Sequence, residues 1–332
     1  MANWQTVLVK IAAMFLVIVV GWAARRRGYL AATTTTVLSR FVVDVALPAL
    51  VFTQMLRSVT LEALREGWFT PLLSAVLILI AYVPGVLFAP LFSRGAQRTT
   101  FVFLVAIPNW IFLPLPIVDA MYGDAGVRTL FLYNVGAQLM LWTFGVWILH
   151  GGVTAREAAR NIVTNPGLLA TAAGIVVALL CPSSSQWETL TGATGTPLNL
   201  LAGALVQALA MVGSLTIPVS LLAIGAQLGD LELYVHRPSR ALWGVLVARL
   251  IVGPVLTAAV GWAVLRAGVR IPEIPRMIAY LTATMPVAIS CSVFTERFGG
   301  DVSLSAQGIF YSTFFSLLTV PVIFFLIQRL GL

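Results

Sequence analysis

Two prolines in matched surroundings, Pro108 and Pro286, mark the places where this sequence offers chemistry. Residues 106–116 read AIPNWIFLPLP, and residues 284–292 read TMPVAISCS. Each proline lies within a long apolar run. It removes a backbone donor and pushes away the carbonyl one turn back. In hydrocarbon an unpaired backbone group costs several kcal/mol, so such breaks survive only inside protein or beside a wet cavity. The spacing predicts two unwound segments whose free amides and carbonyls face a binding site. Where they cross near the midplane, the N-termini of the following half-helices enter one pocket. Their partial positive charge favours an anion. A simple kink at each proline is the alternative, and matched positions in both halves of the chain favour the break.

The side chains near these breaks complete a candidate substrate set: Pro108, Asn109, Trp110, Asn134, Gln138, Met285, Pro286 and Ser290. Asn109 either hydrogen-bonds a carboxylate or caps the broken helix. Asn134 and Gln138 lie one helical turn apart and share a face. They either line the cavity or hydrogen-bond between helices. Gln307, Tyr311 and Ser312 offer similar chemistry, with interhelical bonding the simpler role. Ser290 belongs to a stretch of small residues that permit close backbone approach.

Two charges stand out as coupling candidates. Asp44 lies in the run FVVDVALP, where a mid-membrane carboxylate costs about 2.5–3.5 kcal/mol on insertion scales. It either binds a coupling proton or cation, or reaches the cytoplasmic interface. Arg249 lies in VARLI. It pairs with a buried acid, attracts an anion, or snorkels to the interface. Lys10 is close enough to a helix end to snorkel and carries no assignment.

The elements that position these residues follow from composition. Of 332 residues, 59% are hydrophobic and 10% are charged, against about 25% charged in soluble domains. Mean hydropathy is +0.97. The fold class is an all-α membrane protein. Ten spans are expected at 5–24, 37–56, 69–92, 100–121, 127–149, 162–180, 198–228, 241–265, 274–297 and 303–327. Prolines within spans seven and nine predict broken helices. The stretch 182–197, rich in Ser, Thr and Gly, reads as a loop.

The net charge of +8 comes from arginines between apolar runs. They read as topology signals and contacts to membrane lipid, and nucleic acid is not an expected partner. Basic residues such as Arg25, Arg26, Arg27, Arg94, Arg98, Arg156 and Arg160 fall on one side when both termini are placed outside. The segment from Arg266 to Arg276 breaks the pattern. The cluster Arg25–Arg27 follows the first apolar stretch, which describes a retained helix rather than a cleaved leader.

The halves resemble each other. Arg98, Pro108 and Asp124 recur as Arg276, Pro286 and Asp301, and the Pro48 region recurs around Pro218. Five spans per half is an odd number, so the second copy is inverted. The expected organisation is a first inverted repeat at 1–150, a short cytoplasmic linker at 151–161, and a second repeat at 162–332.

Cys181 and Cys291 form no disulfide framework and no metal spacing. His150 and His236 fall in expected loops, with no zinc spacing and no phosphate loop. No enzyme, metal or cofactor is expected.

Three features resemble the auxin efflux carrier family, which includes plant PIN proteins and many bacterial permeases. One is residues 45–50, VALPAL. The second is the segment from Asn109 to Pro116 that ends in Tyr122 and Gly123. The third runs from Thr216 through Pro218 to Leu228, followed by Met285–Pro286 and Ser312–Thr313. The match covers nearly the whole chain in order. The resemblance implies ten helices in two inverted halves, with crossed, proline-broken helices four and nine at the substrate site. It also implies a scaffold part, a transport part, elevator-like movement and a homodimer. Without the long cytoplasmic loop of many plant members, the chain looks like a compact prokaryotic type. Trp110 stands where small residues are common in relatives.

The functional expectation is therefore a secondary transporter in the cell membrane. Its substrates would be small organic anions such as auxin-like indole acids or dicarboxylates, with proton or sodium coupling possible. A channel-like pore or a membrane receptor on the same fold is the alternative.

Overall fold

The computed structural model describes residues 4–95, 97–150, 156, 159–160, 163–181, 197–230 and 239–329. Most of the expected linker at 151–161, His236, and the loop residues 182–196 lie outside them. So do the side chains of Lys10 and His150.

The described residues form an all-helical protein. In chain order the helices are α1 (Trp4–Arg26), α2 (Ala32–Phe41), α3 (Leu47–Ser58), α4 (Leu61–Gly67), α5 (Thr70–Phe92), α6 (Gln97–Ala106), α7 (Pro114–Met140) and α8 (Val146–His150). There follow α9 (Pro166–Leu180), α10 (Pro197–Ser214), α11 (Thr216–Asp230), α12 (Arg240–Val247), α13 (Gly253–Arg266), α14 (Glu273–Thr284), α15 (Ser290–Arg297) and α16 (Val302–Arg329). Single π-turns join α2 to α3 at Val42–Ala46, α7 to α8 at Leu141–Gly145, and α12 to α13 at Ala248–Val252.

Helix α5 shows why lipid is the solvent. It carries no charge in 23 residues. Its buried positions include Thr70, Ser74, Ala81, Gly85 and Ala89. Its exposed positions include Leu72, Val76, Leu79, Val83, Leu87 and Leu91. Apart from Leu77 and Ile78, which are also buried, the protein-facing positions are mostly small or weakly polar, while the outward ones are large and apolar. That arrangement suits helix packing in a bilayer, where close backbone approach replaces the hydrophobic drive.

Among the described residues, five helices are long and apolar enough to cross a membrane: Thr33–Arg57, Leu61–Phe92, Pro114–Leu149, Leu200–Ala223 and Arg240–Arg266. A sixth is added if the bent pair Val302–Ser316 and Leu318–Ile327 counts as one span. The ten expected spans exceed this number for a physical reason. Expected spans four and nine are cut by their prolines into pieces, with α6 only 10 residues long and α14 only 12. Expected span six is also short, 15 residues over Pro166–Leu180, whereas expected span seven still counts as one span, Leu200–Ala223, across the turn at Leu215.

Helix α7 hides a further boundary. At Gly123 the backbone takes φ 54° and ψ −146°, a region open essentially to glycine alone. The segment is two helices meeting at a kink.

Packing divides the chain into two compact units. The first comprises Met1–Trp68, Asp119–Phe131 and Asn161–Leu231, and the second Phe69–Val118, Leu132–Arg160 and Glu232–Leu332. Each unit therefore draws on both sequence halves.

In the first unit α1 and α11 touch backbone to backbone. A side chain at Gly225 would strike the Ile18 carbonyl, and one at Gly21 would strike that of Leu222. Helix α3 packs similarly, on α9 at Gly174 and on α10 at Gly213. Beyond the Gly123 turn, Gln54 Nε2 donates to Asp124 Oδ1 at 3.1 Å.

In the second unit Asp301 ties two helix N-termini together. Its Oδ1 accepts from the Leu304 amide at 2.9 Å, capping α16. Its Oδ2 accepts from Gln97 Nε2 at 2.8 Å, and its own amide donates to Thr100 Oγ1 at 2.8 Å. Asp301→Ala should lower stability by about 1–2 kcal/mol through loss of the cap. Asp301→Asn still accepts from the Leu304 amide and should keep most of the wild-type stability, which thermal melting in detergent would measure.

Candidate functional site

The two proline segments meet within the second unit. Helix α6 stops at Ala106 and the next helical residue is Pro114; α14 stops at Thr284 and α15 starts at Ser290. Between these ends the two chains pair antiparallel, Pro108 opposite Val287. The Asn109 amide donates to the Pro286 carbonyl at 2.8 Å, and the Ala288 amide donates to the Ile107 carbonyl at 3.1 Å. The two prolines bring no amide, so this short pairing leaves fewer backbone groups to satisfy. Ser312 on α16 supplies another partner, its Oγ accepting from the Val287 amide at 3.0 Å.

Asn109 acts locally as a cap. Its Oδ1 accepts from the Phe112 amide at 3.1 Å, in the turn leading into α7. This is the capping alternative of the sequence reading. Next to it, Trp110 Nε1 donates to Asn134 Oδ1 at 2.9 Å. Asn109, Trp110 and Asn134 are all buried. The pairing accounts for a bulky residue beside the break: the indole fills space against α7 and its polar edge finds a partner, as a buried tryptophan needs.

Arg249 is the group whose role differs most from expectation. It is 1% exposed, so it does not snorkel. Nor does it reach an acid through the bonds it makes. Its Nε donates to the Met285 carbonyl at 3.1 Å and Nη1 to the Val105 carbonyl at 2.9 Å. Nη2 lies 2.5 Å from the Ala283 carbonyl and 3.5 Å from that of Thr282. These carbonyls belong to the last turns of α6 and α14 and to the break after α14. One guanidinium thus closes the C-terminal ends of both half-helices. Close by, the Thr282 and Tyr133 hydroxyls are hydrogen-bonded at 3.1 Å.

The structure therefore brings together Pro108, Asn109, Trp110, Asn134, Met285 and Pro286, with Arg249 bonded to the Met285 carbonyl and to those of the adjoining helix ends. Ser290 opens α15 and is half-buried. Gln138 lies one turn beyond Asn134 and is half-buried. Gln307 bonds within its own helix, Nε2 to Ser303 Oγ at 3.3 Å. Asp44 is part of the first unit, where it sits in the π-turn after α2 with its side chain exposed. A separate cavity of about 380 Å³ in the second unit is lined by residues including Tyr82, Arg98, Val102 and Trp147. None of the proposed substrate residues lines it.

Sequence reading missed the convergence of Val105, Thr282, Ala283 and Met285 carbonyls on Arg249. No local spacing reports it, because the partners are far apart in sequence. The role of Ser312 was visible only as interhelical bonding. Ser312→Ala leaves the Val287 amide without its acceptor in an apolar interior, at a cost of about 1–3 kcal/mol. Ser312→Thr keeps the hydroxyl and should melt near the wild-type temperature, whereas the alanine variant should melt well below it.

Comparison with known sequences gives a consistent result. The profile of a family described as Membrane transport protein matches residues 6–171 and 153–324. The chain is similar to an uncharacterized transporter of Methanothermobacter thermautotrophicus, 25% identical over 324 residues and covering 97% of each protein. It is also similar to an uncharacterized transporter of Methanocaldococcus jannaschii, 22% identical over 317 residues, covering 92% of this chain and 94% of the relative.

Proposed function

Because the chain belongs to this membrane transport protein family, the auxin efflux carrier family that its motifs resemble, we propose that it carries small organic anions across the membrane. The observation that supports this reading is the paired interruption at Pro108 and Val287. Two half-helices, α7 and α15, begin at that junction. Each N-terminus carries about half a positive charge, and a carboxylate held there needs no cationic side chain. Asn109, already at the α7 entrance, would donate from its amide nitrogen to the carboxylate. Substrates of the class of indole acids or dicarboxylates suit such a site.

The junction is buried in this conformation, so the reading requires a movement that uncovers it to each side in turn. The proposal takes the ten spans as two inverted five-helix repeats, the first unit as scaffold and the second as the elevator-like moving part. It places both termini outside and the working protein as a homodimer in the cell membrane. Asp44 remains the candidate for proton coupling.

A thermal-shift screen of organic acids, repeated across pH and sodium concentration, tests the substrate class. A ligand that binds the folded protein raises its melting temperature by mass action. Stabilisation by carboxylates but not by their amides is expected. Stabilisation by neutral or cationic solutes alone would refute the anion reading.

A further inference from the structure

We infer that Arg249 is a built-in cation, occupying a carbonyl cage that would otherwise suit a free monovalent metal ion, so that no sodium binds at the crossover. In secondary transporters with broken helices, unwound carbonyls and half-helix C-termini are the groups that coordinate coupling cations. Here the Val105, Ala283 and Met285 carbonyls, with Thr282 at the margin, converge from two such ends. Every one of them faces the same guanidinium. The charges match: two helix C-termini bring about −0.5 each, and one arginine, which stays protonated in proteins, brings +1. The π-turn at Ala248–Val252 holds the side chain there, buried to 1% exposure.

A tethered cation differs from a diffusible one in its consequence. A sodium ion that must bind before the junction closes makes closure depend on sodium concentration. A guanidinium fixed to α12–α13 is always present, so the junction is complete without an ion. It also cancels the negative helix ends, leaving the two N-termini as the uncompensated dipole ends at the junction. Sodium coupling through this place is thereby excluded, and Arg249 is a positioning residue rather than a substrate ligand.

The experiment uses the full-length protein in two arms. In the first, the thermal stability of wild type and Arg249→Ala is followed in millimolar guanidinium chloride, urea, sodium chloride or choline chloride at constant ionic strength. Wild type should respond alike to sodium and choline. The variant should melt lower and recover with guanidinium in a saturable manner, more than with urea, which has the same planar shape without charge. Equal rescue by urea would show that shape and hydrogen bonding suffice and would overturn the cation role. Selective stabilisation of wild type by sodium would overturn it as well. If Arg249→Ala yields no folded protein, Arg249→Lys takes its place, with partial retention of stability expected and sodium sensitivity of wild type still decisive. The second arm measures uptake of an organic acid by wild type in sodium and in choline medium. Equal rates are expected, and a requirement for sodium contradicts the inference. This second arm rests on the carrier reading, whereas the first does not. A positive first arm with no uptake of any acid would therefore sink the carrier reading and leave the built-in cation standing.

Discussion

Gly225→Leu is expected to abolish the folded protein, with little material recovered from the membrane as a monodisperse species. At this position the α11 backbone lies directly on the α1 backbone at Ile18 and Trp22. The atoms that a side chain would meet are main-chain atoms, which have no rotamer to adopt. Overpacking usually costs about 1–3 kcal/mol when side chains can shift; here the helices themselves must separate, so the cost exceeds that range. Gly21→Leu, on the opposing helix, should behave alike because it meets Leu222 in the same interface. Gly28→Ala offers the contrast: its φ is +78°, but nothing lies within 4 Å of an added Cβ. Only local strain of about 1–2 kcal/mol follows, and the protein should still be recovered. Size-exclusion profiles of the three variants would decide whether the close approach holds the first unit together.

The second large effect is on transport. Asn109→Ala should reduce uptake of the organic acid by roughly tenfold or more. A hydrogen bond to a charged partner contributes about 1.5–3 kcal/mol, and each 1.4 kcal/mol is roughly tenfold in affinity. The alanine variant also loses the cap on the Phe112 amide, worth about 1 kcal/mol, so by itself it mixes folding with binding. Asn109→Asp separates the two. An aspartate caps a helix N-terminus as well as asparagine does, but it puts a negative charge where the anion must bind. It should melt close to wild type and transport little. An aspartate variant that transports at the wild-type rate would remove Asn109 from the site.

How far these roles were legible in the sequence depends on the distance over which each interaction acts. The membrane setting was legible, since it rests on composition. The interruptions at Pro108 and Pro286 were legible because proline forbids the helical bond locally, whatever the surroundings. That the two segments pair with each other was anticipated from their matched positions in the two halves. Arg249 was not legible: a lone arginine in an apolar run reads equally as a snorkelling or an ion-paired group. Its actual partners are carbonyls, which every residue has and which carry no sequence signature. Asn109 was left between ligand and cap, and the bond to the Phe112 amide places it at least as a cap. The π-turns at Val42–Ala46, Leu141–Gly145 and Ala248–Val252 had no signal in residue type. The close helix contacts within each of the two units lie at glycines such as Gly21, Gly136, Gly174 and Gly225. Each alone looks like any other glycine of a membrane helix.

Counterflow in proteoliposomes tests the central claim most directly. Vesicles loaded with an unlabelled organic acid that stabilises the protein would be diluted into a trace of the same acid carrying a radiolabel. The account predicts transient accumulation of label that saturates with acid concentration and is abolished in Asn109→Asp. A non-saturating current with no accumulation, or counterflow unchanged in Asn109→Asp, would contradict it.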